Sequence, residues 1–207
     1  MKKLIIVGAG CHGRVVADLV QSAGRYDSVL FLDDRIPEIT PQYPIAGKTS
    51  DFKKYIPEWE FFTAIGENSL REMFIENIIQ ANGVLATLVH PFSALSPYAG
   101  IGRGSVITAG TAVNHNARLG TGVILNTGAS VDHDCVIGDF SHICPGAHLA
   151  GGVKTGNRVL IGTGASVINN ISICSDAIIA AGSVVIENIS VPGLYTGIPA
   201  KLHRISQ

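Results

Sequence analysis

Ile101-Gly102-Arg103-Gly104-Ser105-Val106-Ile107-Thr108-Ala109-Gly110-Thr111-Ala112-Val113 repeats its own pattern every six residues. An aliphatic side chain recurs at Ile101, Ile107 and Val113, and a small one follows four places later at Ser105, Thr111 and Ala117. Extended outward, the aliphatic position runs from Val89 to Val185 and is aliphatic at 16 of 17 sites, Thr155 being the exception. Neither a helical period nor strand alternation sustains a repeat of six over that length. A solenoid does. Each hexad forms a short strand and a turn, and three hexads close a triangular coil of 18 residues with the aliphatic position inside. Coils stack at about 4.8 Å, so the prism is about 27 Å tall.

Composition divides the chain along the same line. Residues 89–190 hold 9 of the 31 charged residues, and the remaining 105 positions hold 22. Glycine accounts for 24 of 207 residues, well above ordinary usage. A net charge of −1 provides no electrostatic footprint for nucleic acid or an anionic membrane. No apolar run approaches a membrane span. Four cysteines without a CxxC predict a reduced, cytoplasmic setting. Flat, charge-poor prism sides expose apolar surface unless covered, and closed cyclic symmetry predicts three prisms side by side.

The charged half reads differently. Lys3-Leu4-Ile5-Ile6-Val7 is a buried parallel strand, followed by Gly8-Ala9-Gly10-Cys11-His12-Gly13, formally G-x-G-x-x-G. Residues 14–23 carry helical spacing, and Val29-Leu30-Phe31-Leu32 is a second strand ending in Asp33-Asp34. Phe61 to Gly66 reads as a third strand and 67–82 as a helix. The dinucleotide fingerprint suggests NAD, but about 85 residues leave room for only one half of that fold. A nucleotide-linked sugar suits half a dinucleotide site better. The expected organisation is an α/β half-Rossmann domain (1–85), an all-β parallel β-helix (86–190) and a tail (191–207).

The repeat allows vertical neighbours to be computed, because residues 18 apart stack on successive coils. His115, His133 and Gly151 form one such column. Asp132 and Asp134 flank His133, and carboxylates beside an imidazole raise its basicity and suit it to general-base work. Gly151, one coil above, offers a backbone N–H with no side chain in the way. Base plus free amide is what acyl transfer requires for deprotonation and oxyanion stabilisation. His142 and His148 occupy equivalent hexad positions, and His142 is placed to approach a neighbour's His133 across a trimer interface. Histidine spacings of 18, 9 and 6 lack the pair five apart that zinc-binding prisms of the carbonic anhydrase type carry, so no metal ligands are expected. No nucleophile lies beside a base, so direct transfer is expected.

The chain resembles the bacterial sugar acetyltransferases of the NeuD/PglD type over essentially its whole length. The matching stretches are Val7 to Gly13, Phe31-Leu32-Asp33-Asp34, Ala64-Ile65-Gly66-Glu67-Asn68, Leu88-Val89-His90-Pro91, Leu125 to Gly138, Ser141 to Ala147, and Thr196-Gly197-Ile198-Pro199-Ala200-Lys201. The resemblance implies a left-handed β-helix and a homotrimer. It also implies acetyl-CoA-dependent N-acetylation of a UDP-4-amino-4,6-dideoxy sugar, with His133 as general base and Asp134 as its acidic partner. His142 would contact the thioester, the Gly151 amide would face the oxyanion, and Thr163 and Ala181 would lie near the pantetheine. Gly10, Cys11, His12, Asp33, Asp34 and Gly66 would line the sugar-nucleotide site; Cys11 stands where relatives often have glycine. The rival readings are O-acetylation of a sialic acid, for which Arg14 is the one nearby cation, an NAD-binding oxidoreductase, and a non-catalytic trimeric scaffold.

Overall fold

A computed structural model describes residues 1–35 and 42–203. The charged half is a five-stranded parallel sheet. Its strands are β1 (Lys3–Val7), β2 (Ser28–Leu32), β3 (Ile45–Gly47), β4 (Glu60–Thr63) and β5 (Val84–Leu85), in the order β3-β2-β1-β4-β5. Leu4, Ile5, Ile6, Phe31, Leu32, Phe61 and Phe62 are fully buried because helices cover both faces. Helix α1 (Cys11–Ala23) starts inside the glycine motif, earlier than the periodicity alone suggests, and ends at Gly24 in the left-handed conformation. Helix α2 (Asn68–Gln80) is capped by the Glu67 carboxylate, which accepts from Ser69 N and Leu70 N. Strands β3 and β5, and a 3₁₀ segment at Thr49–Tyr55, carry no period of their own and were not anticipated.

The second half is a three-faced prism of two-residue parallel strands. One face, here face I, carries Leu88–Val89, Val106–Ile107, Ile124–Leu125, His142–Ile143, Leu160–Ile161 and Ala177–Ile179. Face II carries Ala94–Leu95 through Val184–Val185, and face III Gly100–Ile101 through Ser172–Ile173. Pairing always advances by 18 residues, as in Ala112↔Ser130 and Ile124↔His142. The inward column from Ile107 to Val185 is buried, and Thr155 accepts the Gly138 N–H on its Oγ1. Strand Gly193–Thr196 continues face I and Lys201–His203 folds back on it antiparallel; residues 204–207 of the expected tail lie outside the described residues.

Two backbone columns explain the glycine content. Where Gly102 and Gly138 follow the aliphatic residue, a Cβ would run into the main chain of the coil above. Every sixth residue from Gly104 to Gly182 also sits at φ between 55° and 73°, the left-handed region. Most of these are Gly, Asn or Asp, which tolerate it. Phe140 and Arg158 are the bulky exceptions, and both lie on the prism edge that faces α2.

Charge-poor faces were expected to meet neighbouring subunits. Part of face I is covered by the chain's own first half. Val106 and Ile124 point outward from the prism, yet both are buried in one cluster with Val16, Ala17, Leu19 and Val20 of α1. The apolar pattern marks a face that must be covered; which surface covers it depends on how the two halves dock.

Candidate active site

The glycine motif turns sharply from β1 into α1. Gly8 has φ +101°, and a Cβ on Gly13 would collide with the Gly8 carbonyl, so both are required by the turn. Gly10 and Gly66 have open space where a side chain would be. They border a cleft of about 670 Å³ whose lining includes Gly10, Cys11, His12, Asp33, Asp34 and Gly66, so all six residues singled out for substrate are gathered there. The volume suits a small-molecule ligand. The two acids are already bonded within the chain. Asp33 accepts from Ala9 N and Arg35 N, and Asp34 from Thr49 N and Oγ1. They hold the rim of the cleft in shape, and only their remaining lone pairs face a ligand.

His142 does not itself line this cleft but lies beside His12, which does. It projects outward from face I, its Nε2 lies 3.2 Å from Asn126 Nδ2, and its ring centroid is 6.5 Å from that of His12. Burial pushes both imidazoles down to about 4, with the Arg71 cation and, for His142, the neighbouring His12 adding to the shift. Both rings are therefore neutral at pH 7. The His12 Nε2 is buried without a hydrogen-bond partner among the described residues.

His133 stands on a different part of the molecule, in the turn between Ser130–Val131 of face II and Val136–Ile137 of face III. Its side chain is 61% exposed, and Nδ1 donates to Asp134 Oδ2 at 2.9 Å, so Nε2 is left as the acceptor. The Asp134 hydrogen bond is the main cause of a raised pKa for this imidazole, with Asp132 adding to it. The carboxylates are themselves held from below. Asn116 donates to Asp134 and Asn114 to Asp132. Above, Gly151 leaves room for the ring, because a Cβ there would come within 2.5 Å of His133 Nε2. The Gly151 N–H has no partner among the described residues. His115, below, stacks on Tyr98 at 4.7 Å between centroids, and its carbonyl accepts from Asp134 N. The vertical arithmetic that found Gly151 would equally have found Asn114 and Asn116, each 18 residues before an acid.

One chain does not assemble all of these groups. The edge between faces II and III, which bears His133 and Gly151, lies across the prism from face I, which bears His142 and the cleft. Thr163 and Ala181 are exposed and stack at the turn between faces I and II, on the His142 side.

A family model described as the PglD N-terminal domain matches residues 3–78. The acetyltransferase domain of PglB from Neisseria gonorrhoeae FA1090, solved in complex with acetyl coenzyme A, is 38% identical, with a TM-score of 0.93 over 98% of this chain and 99% of that one. The chain belongs to the PglD-type sugar acetyltransferase family. PerB from Caulobacter crescentus, in complex with CoA and GDP-perosamine, is 32% identical with a TM-score of 0.92, covering 99% of this chain and 98% of that one. The curated UDP-N-acetylbacillosamine N-acetyltransferase of Bacillus subtilis (strain 168) is 36% identical over 113 residues, and this match spans about half of that protein, 52%. The PglD-type prism is a left-handed β-helix. No helix among the described residues of this PglD-type chain is long and apolar enough to cross a membrane.

Proposed function

We propose that the protein is an acetyl-CoA-dependent N-acetyltransferase whose acceptor is the amino group of a nucleotide-linked sugar, a UDP-4-amino-4,6-dideoxy sugar. The observation that carries this reading is the His133 edge: a base with Nε2 free, a carboxylate behind it, and an unpaired Gly151 amide directly above. Relatives solved with acetyl coenzyme A and with CoA plus GDP-perosamine support both substrate classes. The acceptor nitrogen attacks the acetyl carbonyl as His133 Nε2 takes its proton. The Gly151 N–H receives charge on the carbonyl oxygen. The C–S bond then breaks, and the proton passes from His133 to the departing CoA sulfur.

The nucleotide occupies the Gly10–Gly66 cleft, with His12, Asp33 and Asp34 around it, and acetyl-CoA runs past His142, Thr163 and Ala181. Because the base and the cleft lie on opposite sides of one prism, the working unit is a homotrimer in which His133 of one copy meets the cleft of the next. The separation of these groups within the chain supports that assembly. Arg14 is directed at Cys11 Sγ and is not among the cleft-lining residues, whereas Arg35 is. Four free cysteines and a nucleotide-sugar substrate favour a cytoplasmic setting. Release of CoA thiol from acetyl-CoA with a UDP-4-amino-4,6-dideoxy sugar tests the reading. His133→Ala is expected to abolish turnover while acetyl-CoA binding, followed by calorimetry, persists. Near-full activity in that variant would remove His133 from the chemistry.

A further inference from the structure

Arg71 is the largest fully buried side chain, with 0% exposure, and it touches no carboxylate among the described residues. A buried guanidinium is costly unless its donors are satisfied, and here every acceptor is neutral. Its partners come from both halves of the molecule. Nη1 donates to Ile65 O and Gly66 O at 3.0 and 3.1 Å, at the floor of the cleft. Nε donates to Gly122 O at 2.8 Å, and Nη2 to Asn68 Oδ1, Phe140 O and Ser141 O. Gly122 and Phe140 are successive left-handed turn residues of one prism edge. Phe140 holds that conformation although a bulky residue disfavours it, and Phe140-Ser141 lead directly into His142.

The contacts of Arg71 with Phe140 O and Ser141 O hold the two residues that immediately precede His142, whose ring lies 6.5 Å from that of the cleft-lining His12. Ordinary packing would join the two halves without such a group: Ile75, one turn further along α2, already lies against Gly104 and Gly122 of the prism. We infer that Arg71 is a positioning residue for His142, fixing the Phe140–Ser141 turn against the Gly66 loop so that the imidazole is held beside His12 at the border of the cleft. The inference rests on the proposed reading of His142 as part of the acetyl-transfer site. Lysine cannot reproduce the role, because one ammonium cannot span acceptors on both sides in a planar fork.

A double-mutant cycle between Arg71→Lys and His142→Gln tests it, with wild-type and single variants checked for fold by circular dichroism. Arg71→Lys is expected to lower kcat at least tenfold in the wild-type background and less than threefold in the His142→Gln background. Equal losses in both backgrounds would overturn the inference and leave Arg71 as a general domain clamp. An NMR titration of the His142 ring supplies a readout independent of turnover. Arg71→Lys is expected to move its resonances and its titration midpoint while leaving the His148 ring resonances in place. Unchanged His142 resonances would also overturn it. If no nucleotide-linked amino sugar is acetylated by the wild type, the proposed function fails while the titration still decides the Arg71–His142 link. Should Arg71→Lys not fold, Asn68→Ala removes one Nη2 partner and keeps the guanidinium. The same cycle then applies with a smaller expected loss that again disappears in the His142→Gln background.

Discussion

At the scale of the residue, His133 and His142 show how surroundings push one side-chain type in two opposite directions. His133 is exposed and braced by Asp134, so its pKa rises; His142 is buried beside a cation, so its pKa falls to about 4. A base must be unprotonated to accept a proton, so activity should decline as pH drops through the raised His133 value, above the ordinary 6.5. Asp134→Asn removes the largest cause of that rise. The acidic limb of the kcat/KM profile should then move to lower pH, and plateau kcat should fall by about ten- to a hundredfold as the ring loses its orientation. An unmoved limb would show that Asp134 does not set the basicity of His133. The acid was visible in the sequence as the neighbour of a histidine. Asn116 behind it becomes visible only once residues 18 apart are known to touch.

At the scale of the element, the prism is a backbone device with side chains fitted to it. The left-handed turn conformation is imposed at every sixth residue from 104 to 182, whatever side chain sits there. Its cost therefore depends on what surrounds it. Gly128 has φ +66° and nothing within 4 Å of a built Cβ, so Gly128→Ala should cost only the backbone strain, about 1–2 kcal/mol. Gly122 has nearly the same φ, +64°, but its Cβ would lie 2.7 Å from Ile75 Cδ1 and 2.8 Å from Phe140 Cδ1. Gly122→Ala adds overpacking to the strain and should cost about 1–3 kcal/mol more. Chemical denaturation of the two variants reads the difference, and equal losses would mean that α2 yields freely at this edge. Asn116, Asp134, Phe140 and Arg158 interrupt this column and hide its period from a reading of the glycines alone.

At the scale of the whole molecule, the two halves are joined by polar groups whose protonation matters. His12 and His142 titrate near 4 in the fold and near 6.5 when unfolded. Between those values the unfolded chain binds more protons. Stability is therefore complete above about pH 6.5 and is lost as pH falls toward 4, on the order of 3 kcal/mol per ring and less than twice that for the interacting pair. The melting temperature should fall between pH 7.5 and pH 5, and His142→Gln should flatten that slope; an unchanged slope would place the acid sensitivity elsewhere. The divided site makes a second prediction. In the proposed homotrimer, each mixed assembly of His133→Ala and His142→Ala subunits contains one junction with both histidines intact, so random mixing should restore about a quarter of wild-type activity. No recovery would show that each chain works alone. The sequence by itself determined the prism, its coil length, the glycine motif and the His133–Asp134 pairing, because each is a local pattern or a fixed 18-residue offset. Only the tertiary structure decided that face I is buried by the chain's own first half, that His12 meets His142, and that Arg71 spans the junction. Those contacts join residues 51 to 130 positions apart, and no periodicity in either half encodes how two independently regular surfaces dock.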